Sequence, residues 1–282
     1  MRKVSILGAG GKMGYRVSKK LLDASKYDLA FIEISEIGQK RLKELGVEKV
    51  TPKEEAIPVA DVVILAIPDI LIGKISKDVI PLMKSDSMVI GLDPAAAYAE
   101  VMPLRDDIGY FVAHPHHPYL FNNELDKDAL NDYFGGVAKQ DISCSLYHGE
   151  EKFYALGEEL ARVFFGPVNK AFRVTIQQMV FCEPGLVESV GCPLVYALKQ
   201  AYEKTVNDLG VPAEVAYSFF MGHLRVEFAI TFGLIDAKYS DGAIKAMENA
   251  MKVIFKEGWL DKMISKDFIL ESVAKITNKI VK

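Results

Sequence analysis

Short apolar runs alternate with amphipathic helical segments up to about residue 170, and from Thr175 onward only helical patterns remain. That order predicts an α/β fold: a doubly wound parallel sheet followed by an all-α C-terminal domain. Strands joined through helices pair in parallel and are covered on both faces. A glycine-rich turn after the first run narrows the prediction to the Rossmann type. Gly8, Gly11 and Gly14 fit G-x-x-G-x-x-G, between a buried strand over Val4, Ser5, Ile6 and Leu7 and the helical positions Met13, Val17 and Leu21. The texture change places the domain boundary near residues 170–175, with domains expected at 1–172 and 173–282.

The other elements follow in order. Leu29 to Ile32 reads as the second strand, ending on Glu33. Asp61 to Pro68 is a continuous apolar strand whose end, Ala66-Ile67-Pro68-Asp69, leads into a helix marked by Ile72, Ile75, Val79 and Met83. Met88 to Leu92 closes on Asp93-Pro94, Tyr110 to Ala113 closes on His114, and Ile142 to Tyr147 is a further strand. Glu150 to Phe165 is an amphipathic helix stopped by Gly166-Pro167. Thr175 and Gln178 form a capping box for a long helical stretch reaching Leu209, interrupted at Pro184-Gly185, where a kink is expected. Pro212 starts the next helix, which stops at Gly233; Ser240 or Asp241 caps another, and Lys266 to Lys282 is helical.

Composition excludes several classes. A net charge of −4 argues against nucleic acid as a partner. No apolar run approaches the ~20 residues of a membrane span. The first strand begins too early for a signal peptide, and three cysteines without zinc spacing suit a reducing cytoplasm.

The candidate functional residues cluster at strand ends. Glycine in the turn lets backbone amides approach a pyrophosphate, so Gly8, Gly10, Gly11, Lys12, Met13 and Gly14 are expected to bind a dinucleotide. Glu33 stands where an acid takes a ribose hydroxyl, favouring NAD, while Lys40 and Arg41 nearby keep NADP in view. Ala66, Ile67 and Pro68 are expected on the nicotinamide side. Three of the five histidines sit in His114-Pro115-His116-His117-Pro118 at one strand end, and imidazole is the acid–base group for neutral pH. We take His114 and His117 as catalytic candidates and His116 as a substrate ligand. Glu183 and Glu188 flank the helix break and are candidates for acid–base work or for a divalent cation such as magnesium. His223 shares a face with Glu227 in an apolar helix, where a polar pair needs a partner; His223 and Arg225 are further substrate candidates.

The glycine turn, Asp93-Pro94-Ala95-Ala96, the two His-Pro pairs, Glu183-Pro184 with Glu188, Gly222-His223, and Ile254-Phe255-Lys256 before Trp259 give the chain a family look. It resembles the 6-phosphogluconate and 3-hydroxyisobutyrate dehydrogenase superfamily over nearly its whole length, most nearly the phosphogluconate dehydrogenase C-terminal-domain-like group that includes D-apionate oxidoisomerase. Two departures stand out: His116 replaces a cysteine of many relatives, and the lysine signature of simple hydroxyacid dehydrogenases is not evident. The resemblance implies an NAD-dependent oxidoreductase acting on a hydroxyl of a small sugar acid, with coupled acyl migration. A simple β-hydroxyacid or prephenate-type dehydrogenase is the alternative, and a dinucleotide-sensing regulator is the alternative outside enzymes. The apolar content of the helical half points to a homodimer formed through it.

Overall fold

The structure, a computed structural model, describes residues 1–279. They divide into two units: Met1–Pro184 together with the chain from Leu270 onward, and Gly185–Ile269. The sequence suggested a division at 172/173; here the first unit continues through a short helix to Pro184 before the chain changes unit.

In the first unit seven strands form one sheet. They are β1 (Arg2–Leu7), β2 (Tyr27–Ile32), β3 (Val62–Leu65), β4 (Met88–Gly91), β5 (Gly109–Pro115), β6 (Gln140–His148) and β7 (Val168–Arg173), in the order β2-β1-β3-β4-β5-β6-β7. The helices between them are α1 (Lys12–Ala24), α2 (Glu36–Glu44), α3 (Lys53–Ala56), α4 (Asp69–Val79), α5 (Ala95–Tyr98), α6 (Lys127–Leu130) and α7 (Lys152–Phe164), followed by α8 (Ile176–Val180). The direction of winding reverses between β1 and β3, which opens the crevice where such sheets bind ligands.

β1 to β5 are parallel, so their carboxyl ends share one edge. β6 breaks the pattern and runs antiparallel to β5, with β7 parallel to β6. A parallel return needs a crossover, usually a substantial helix. Residues 116–139 carry only the four-residue α6, and the chain turns back at the same edge, where the His116 amide bonds to the Asp141 carbonyl. β7 was not expected from the sequence. Its residues are half-buried or exposed, so it lacks the apolar run that reveals an interior strand.

The core is set by register. Phe31, Ile6, Ile64, Ile90 and Phe111 are paired neighbours across five strands and all belong to the buried core. β3 and β4 are buried along their whole length, as a sheet covered on both faces requires. α7 lies close against this layer because Gly157 faces the Phe111 ring: a Cβ there would stand 2.5 Å from it.

The second unit is helical. The expected kink at Pro184-Gly185 takes the form of a π-helix over Phe181–Gly191. Pro184 has no amide hydrogen to donate, and in an α-helix its ring would strike the carbonyl four residues back; the wider i→i+5 winding makes room for the ring. Then come α9 (Cys192–Asn207), α10 (Ala213–Thr231), α11 (Asp241–Ile254), α12 (Trp259–Met263) and α13 (Lys266–Thr277), the last shared with the first unit. The capping box at Thr175 and Gln178 is present, and Ser240 rather than Asp241 caps α11. The predicted last helix extended to Lys282; residues 280–282 lie outside the described part.

One expectation fails here. The apolar sequence of α10 implies a buried setting for the His223–Glu227 pair, yet Ala216 is the helix's only buried residue, and Phe219, His223 and Val226 are exposed. α9 packs against part of α10, where the Tyr202 and Tyr217 rings meet at 6.2 Å, but much of its apolar surface stays exposed. Among the described residues no helix is long and apolar enough to cross a membrane.

Substituting Gly157→Ala should force its Cβ into the Phe111 ring and destabilise the fold by about 1–3 kcal/mol. Urea unfolding should show a lower midpoint with an unchanged slope; an unchanged midpoint would refute the close packing.

Candidate active site

The glycine turn sits at the carboxyl end of β1. Gly8 has φ of +78°, and a Cβ on it would lie 2.5 Å from the Ala66 carbonyl oxygen at the end of β3. Gly14 brings α1 so near the turn that a Cβ would stand 2.0 Å from the Gly8 oxygen. Gly11 is the N-cap residue of α1. The first-turn amides of α1 therefore open at the switch point, as an anion site requires. Glu33, directly after β2, turns its carboxylate onto this loop: Oε2 accepts the Gly10 N–H at 2.9 Å, and Oε1 accepts the Ser35 N–H at 2.8 Å. Ala66, Ile67 and Pro68 follow β3, and Pro68 starts α4.

Along the same edge a charged cluster forms. His114, near the end of β5, holds its Nδ1 2.9 Å from the Leu92 carbonyl, beside the end of β4. A carbonyl only accepts, so Nδ1 carries the hydrogen and Nε2 is the exchangeable position. Nε2 stands 3.3 Å from Glu183 Oε2, and Asp93 Oδ2 lies 3.8 Å from Nδ1. Asp93 is oriented by the Ala95 N–H at 2.8 Å, and Glu183 arrives on the π-helix. All these residues belong to the first unit. The sequence missed Asp93 as a site residue. Its signal was an acid directly after an interior strand and before Pro-Ala-Ala, at the same edge as His114.

Burial alone would discharge His114, but the hydrogen bond and charge of Glu183, with the charge of Asp93, outweigh it and raise its pKa to about 9. Burial would likewise raise Glu183; the His114 hydrogen bond and the nearby charges of His114, His117 and His116 hold it below the usual carboxylate value. Asp93 goes the other way: burial pushes it up, and the His114 charge only partly offsets that. The imidazolium–Glu183 pair is thus the principal one, with Asp93 a weaker, longer contact. The cluster can hold a proton near neutral pH and exchange it at Nε2. The same donors suit a cation, since Asp93, His114 and Glu183 each offer one ligand atom, all within 4.8 Å of one another.

The other predicted residues are distributed as follows. His116 is exposed, stacks on Phe172 at 5.8 Å and holds Ser143 Oγ at 2.8 Å through Nε2. His117, at φ of +62°, bonds through Nδ1 to the Phe134 carbonyl at 3.2 Å. Both therefore influence Glu183 by charge rather than by contact. Glu188, His223 and Arg225 belong to the second unit. There His223 is exposed, accepts no buried role, and its Nδ1 donates to the Phe219 carbonyl one turn back at 2.8 Å. A cavity of about 310 Å³ lies between α1 and residues 132–137, lined by Met13, Arg16, Phe134 and Pro115. Pro115 and His114 alternate across the strand, so this cavity is on the sheet face away from the charged cluster.

The chain matches the family described as "Phosphogluconate dehydrogenase (decarboxylating) C-term" over residues 122–277. It is 43% identical over 277 residues to a D-apionate oxidoisomerase of Cupriavidus necator, covering 98% of this chain and 99% of that protein. A D-apionate oxidoisomerase of Rhizobium rhizogenes is 41% identical over 278 residues, covering 98% and 100%. Among solved structures, a semialdehyde dehydrogenase NAD-binding protein from Cupriavidus necator in complex with calcium and NAD superposes with a TM-score of 0.94 at 42% identity, covering 98% of this chain and all of that one.

In metal-free protein the His114 imidazole should titrate near pH 9 by NMR. Glu183→Gln should bring the midpoint down by a unit or more, about 1.4 kcal/mol per unit. A raised histidine pKa stabilises the fold fully below its ordinary 6.5, and the gain is lost as pH climbs through about 9. A midpoint unmoved by Glu183→Gln would refute the pairing.

Proposed function

The chain belongs to the phosphogluconate dehydrogenase (decarboxylating) C-terminal family, and on that footing we propose that it is an NAD-linked oxidoisomerase of the D-apionate type. It oxidises a hydroxyl of a small sugar acid and rearranges the resulting ketone by acyl migration. The observation that carries this reading is the His114–Glu183–Asp93 cluster, on the same sheet edge as the glycine turn. Alcohol oxidation needs a base in reach of the hydroxyl as hydride leaves for the nicotinamide. His114 fits in its neutral form, which becomes populated as pH rises towards about 9: the Leu92 carbonyl holds the Nδ1–H, and Nε2 is then the position that takes the proton. Glu183 steadies the imidazolium that forms, and Asp93 adds a second negative charge.

NAD is the coenzyme we assign. Gly8, Gly10, Gly11, Lys12, Met13 and Gly14 take the pyrophosphate, Glu33 the adenosine ribose, and Ala66, Ile67 and Pro68 the nicotinamide side. A divalent cation fits the chemistry of the cluster, since carboxylates are the hard donors magnesium and calcium prefer; Asp93 and Glu183 would hold it. Bound there, it would supply polarisation of the adjacent oxygens between which an acyl group moves. His116 and His117 we assign to substrate on chemical grounds, as imidazole partners for a polyhydroxy acid; Glu188, His223 and Arg225 offer carboxylate, imidazole and guanidinium groups in the second unit. Three free cysteines support a cytoplasmic location.

We also propose a homodimer through the helical unit. Val195, Tyr196, Phe219, Val226 and Ile254 are exposed on it, more apolar surface than a soluble monomer leaves uncovered.

Two experiments test these readings. D-Apionate and related four- to six-carbon aldonates, with NAD, are assayed with and without magnesium or EDTA, and products are analysed. A rearranged carbon skeleton is expected, and His114→Asn should lower kcat by about 10²–10⁴-fold with NADH affinity nearly intact. A simple ketone would favour a plain dehydrogenase; tight NADH binding with no turnover of any aldonate would favour a sensor. Sedimentation should give twice the 31.3 kDa chain mass, and Phe219→Asp should shift it towards one chain. A monomer at micromolar concentration would refute the dimer.

A further inference from the structure

We propose that Ser35 and Gly38 set the coenzyme preference, by fixing the Glu33 carboxylate across the ribose end of the crevice and leaving it a single acceptor position for one hydroxyl. This deepens the NAD reading above and rests on it. A carboxylate has about four lone-pair sites. Oε1 of Glu33 accepts both the Ser35 N–H at 2.8 Å and the Ser35 hydroxyl at 2.9 Å. Oε2 accepts the Gly10 N–H at 2.9 Å. Three sites are thus taken by the chain itself, and one, on Oε2, remains.

The acid is held on its other side as well. A Cβ on Gly38 would stand 2.4 Å from Glu33 Cδ and 2.6 Å from Oε2, so the carboxylate occupies the space a larger residue would fill. Ser35 Oγ accepts the Gly38 N–H at 3.1 Å while donating to Glu33, which ties the three residues into one chain of bonds. A Glu33 so placed cannot swing aside for a larger group without stranding the Gly10 and Ser35 amides. A ribose hydroxyl can donate to the remaining site. A 2′-phosphate has no proton to donate when fully ionised, and it brings like charge.

The surrounding donors make this arrangement one residue away from its opposite. The Gly10 N–H, the Ser35 N–H and the Ser35 hydroxyl all point at an anion, and that anion is Glu33 itself. Arg41 Nη1 lies against the Gly10 carbonyl at 3.3 Å, so a guanidinium already stands at the same loop. With the carboxylate removed, these groups suit a phosphate.

The test measures NADH and NADPH dissociation constants by nicotinamide fluorescence on wild type and on Ser35→Ala, Ser35→Thr, Gly38→Ala and Glu33→Ser, with circular dichroism and melting as fold controls. Wild type should prefer NADH. Ser35→Ala and Gly38→Ala should each erode that preference by about tenfold, the size of one charge-assisted hydrogen bond. Ser35→Thr, which keeps the hydroxyl, should retain it, and Glu33→Ser should invert it. Folded Ser35→Ala and Gly38→Ala proteins with the wild-type ratio would overturn the inference while leaving the NAD reading standing. A wild type that binds neither coenzyme would instead overturn that reading, and this inference with it.

Discussion

The parallel run of β1, β3, β4 and β5 is the constraint on which the rest depends. Parallel strands deliver their carboxyl ends to one edge, so Gly8, Ala66, Asp93 and His114 meet there despite separations of tens of residues. The strands can be parallel only because helices return the chain, and those helices cover both faces of β3 and β4. The row from Phe31 to Phe111 then locks the register, since slipping by one residue would turn each of these side chains to the opposite face. Core packing and site assembly are therefore one event.

Electrostatics at that edge run on a narrow balance. Burial opposes the charge on His114, and two acids restore it. Removing either partner of such a pair leaves a desolvated charge behind, which costs more than the pair contributes. The same balance prepares the chemistry, because a backbone carbonyl fixes one nitrogen and leaves the other free to exchange. Glu33 follows a related logic at the far end of the crevice, where chain amides hold an acid in a chosen orientation.

The helical unit is governed by a different term. Its helices carry apolar faces that remain exposed in the single chain, so its sequence is written for contacts beyond itself. The π-helix at its entrance shows how a proline is absorbed in a continuous helix: the turn widens, and residues five apart become hydrogen-bond partners.

Much of this was legible beforehand. Periodicity and glycine placement gave away the α/β half, the helical half and the nucleotide turn, because local sterics and burial dictate them residue by residue. The presence of β1, β3 and β4, though not their ends, and the Thr175 capping box are of this kind. The antiparallel β6, the exposed β7 and the partnership of Asp93 with His114 and Glu183 were not legible, since each depends on which strand lies beside which. His114, His116 and His117 read alike in sequence, yet only His114 lies within β5, beside the end of β4, where Asp93 and Glu183 flank it. Composition by itself determined what kinds of element this chain forms. Tertiary structure decided which side chains share a dehydrated space, because charge and proton affinity depend on neighbours brought from distant parts of the chain.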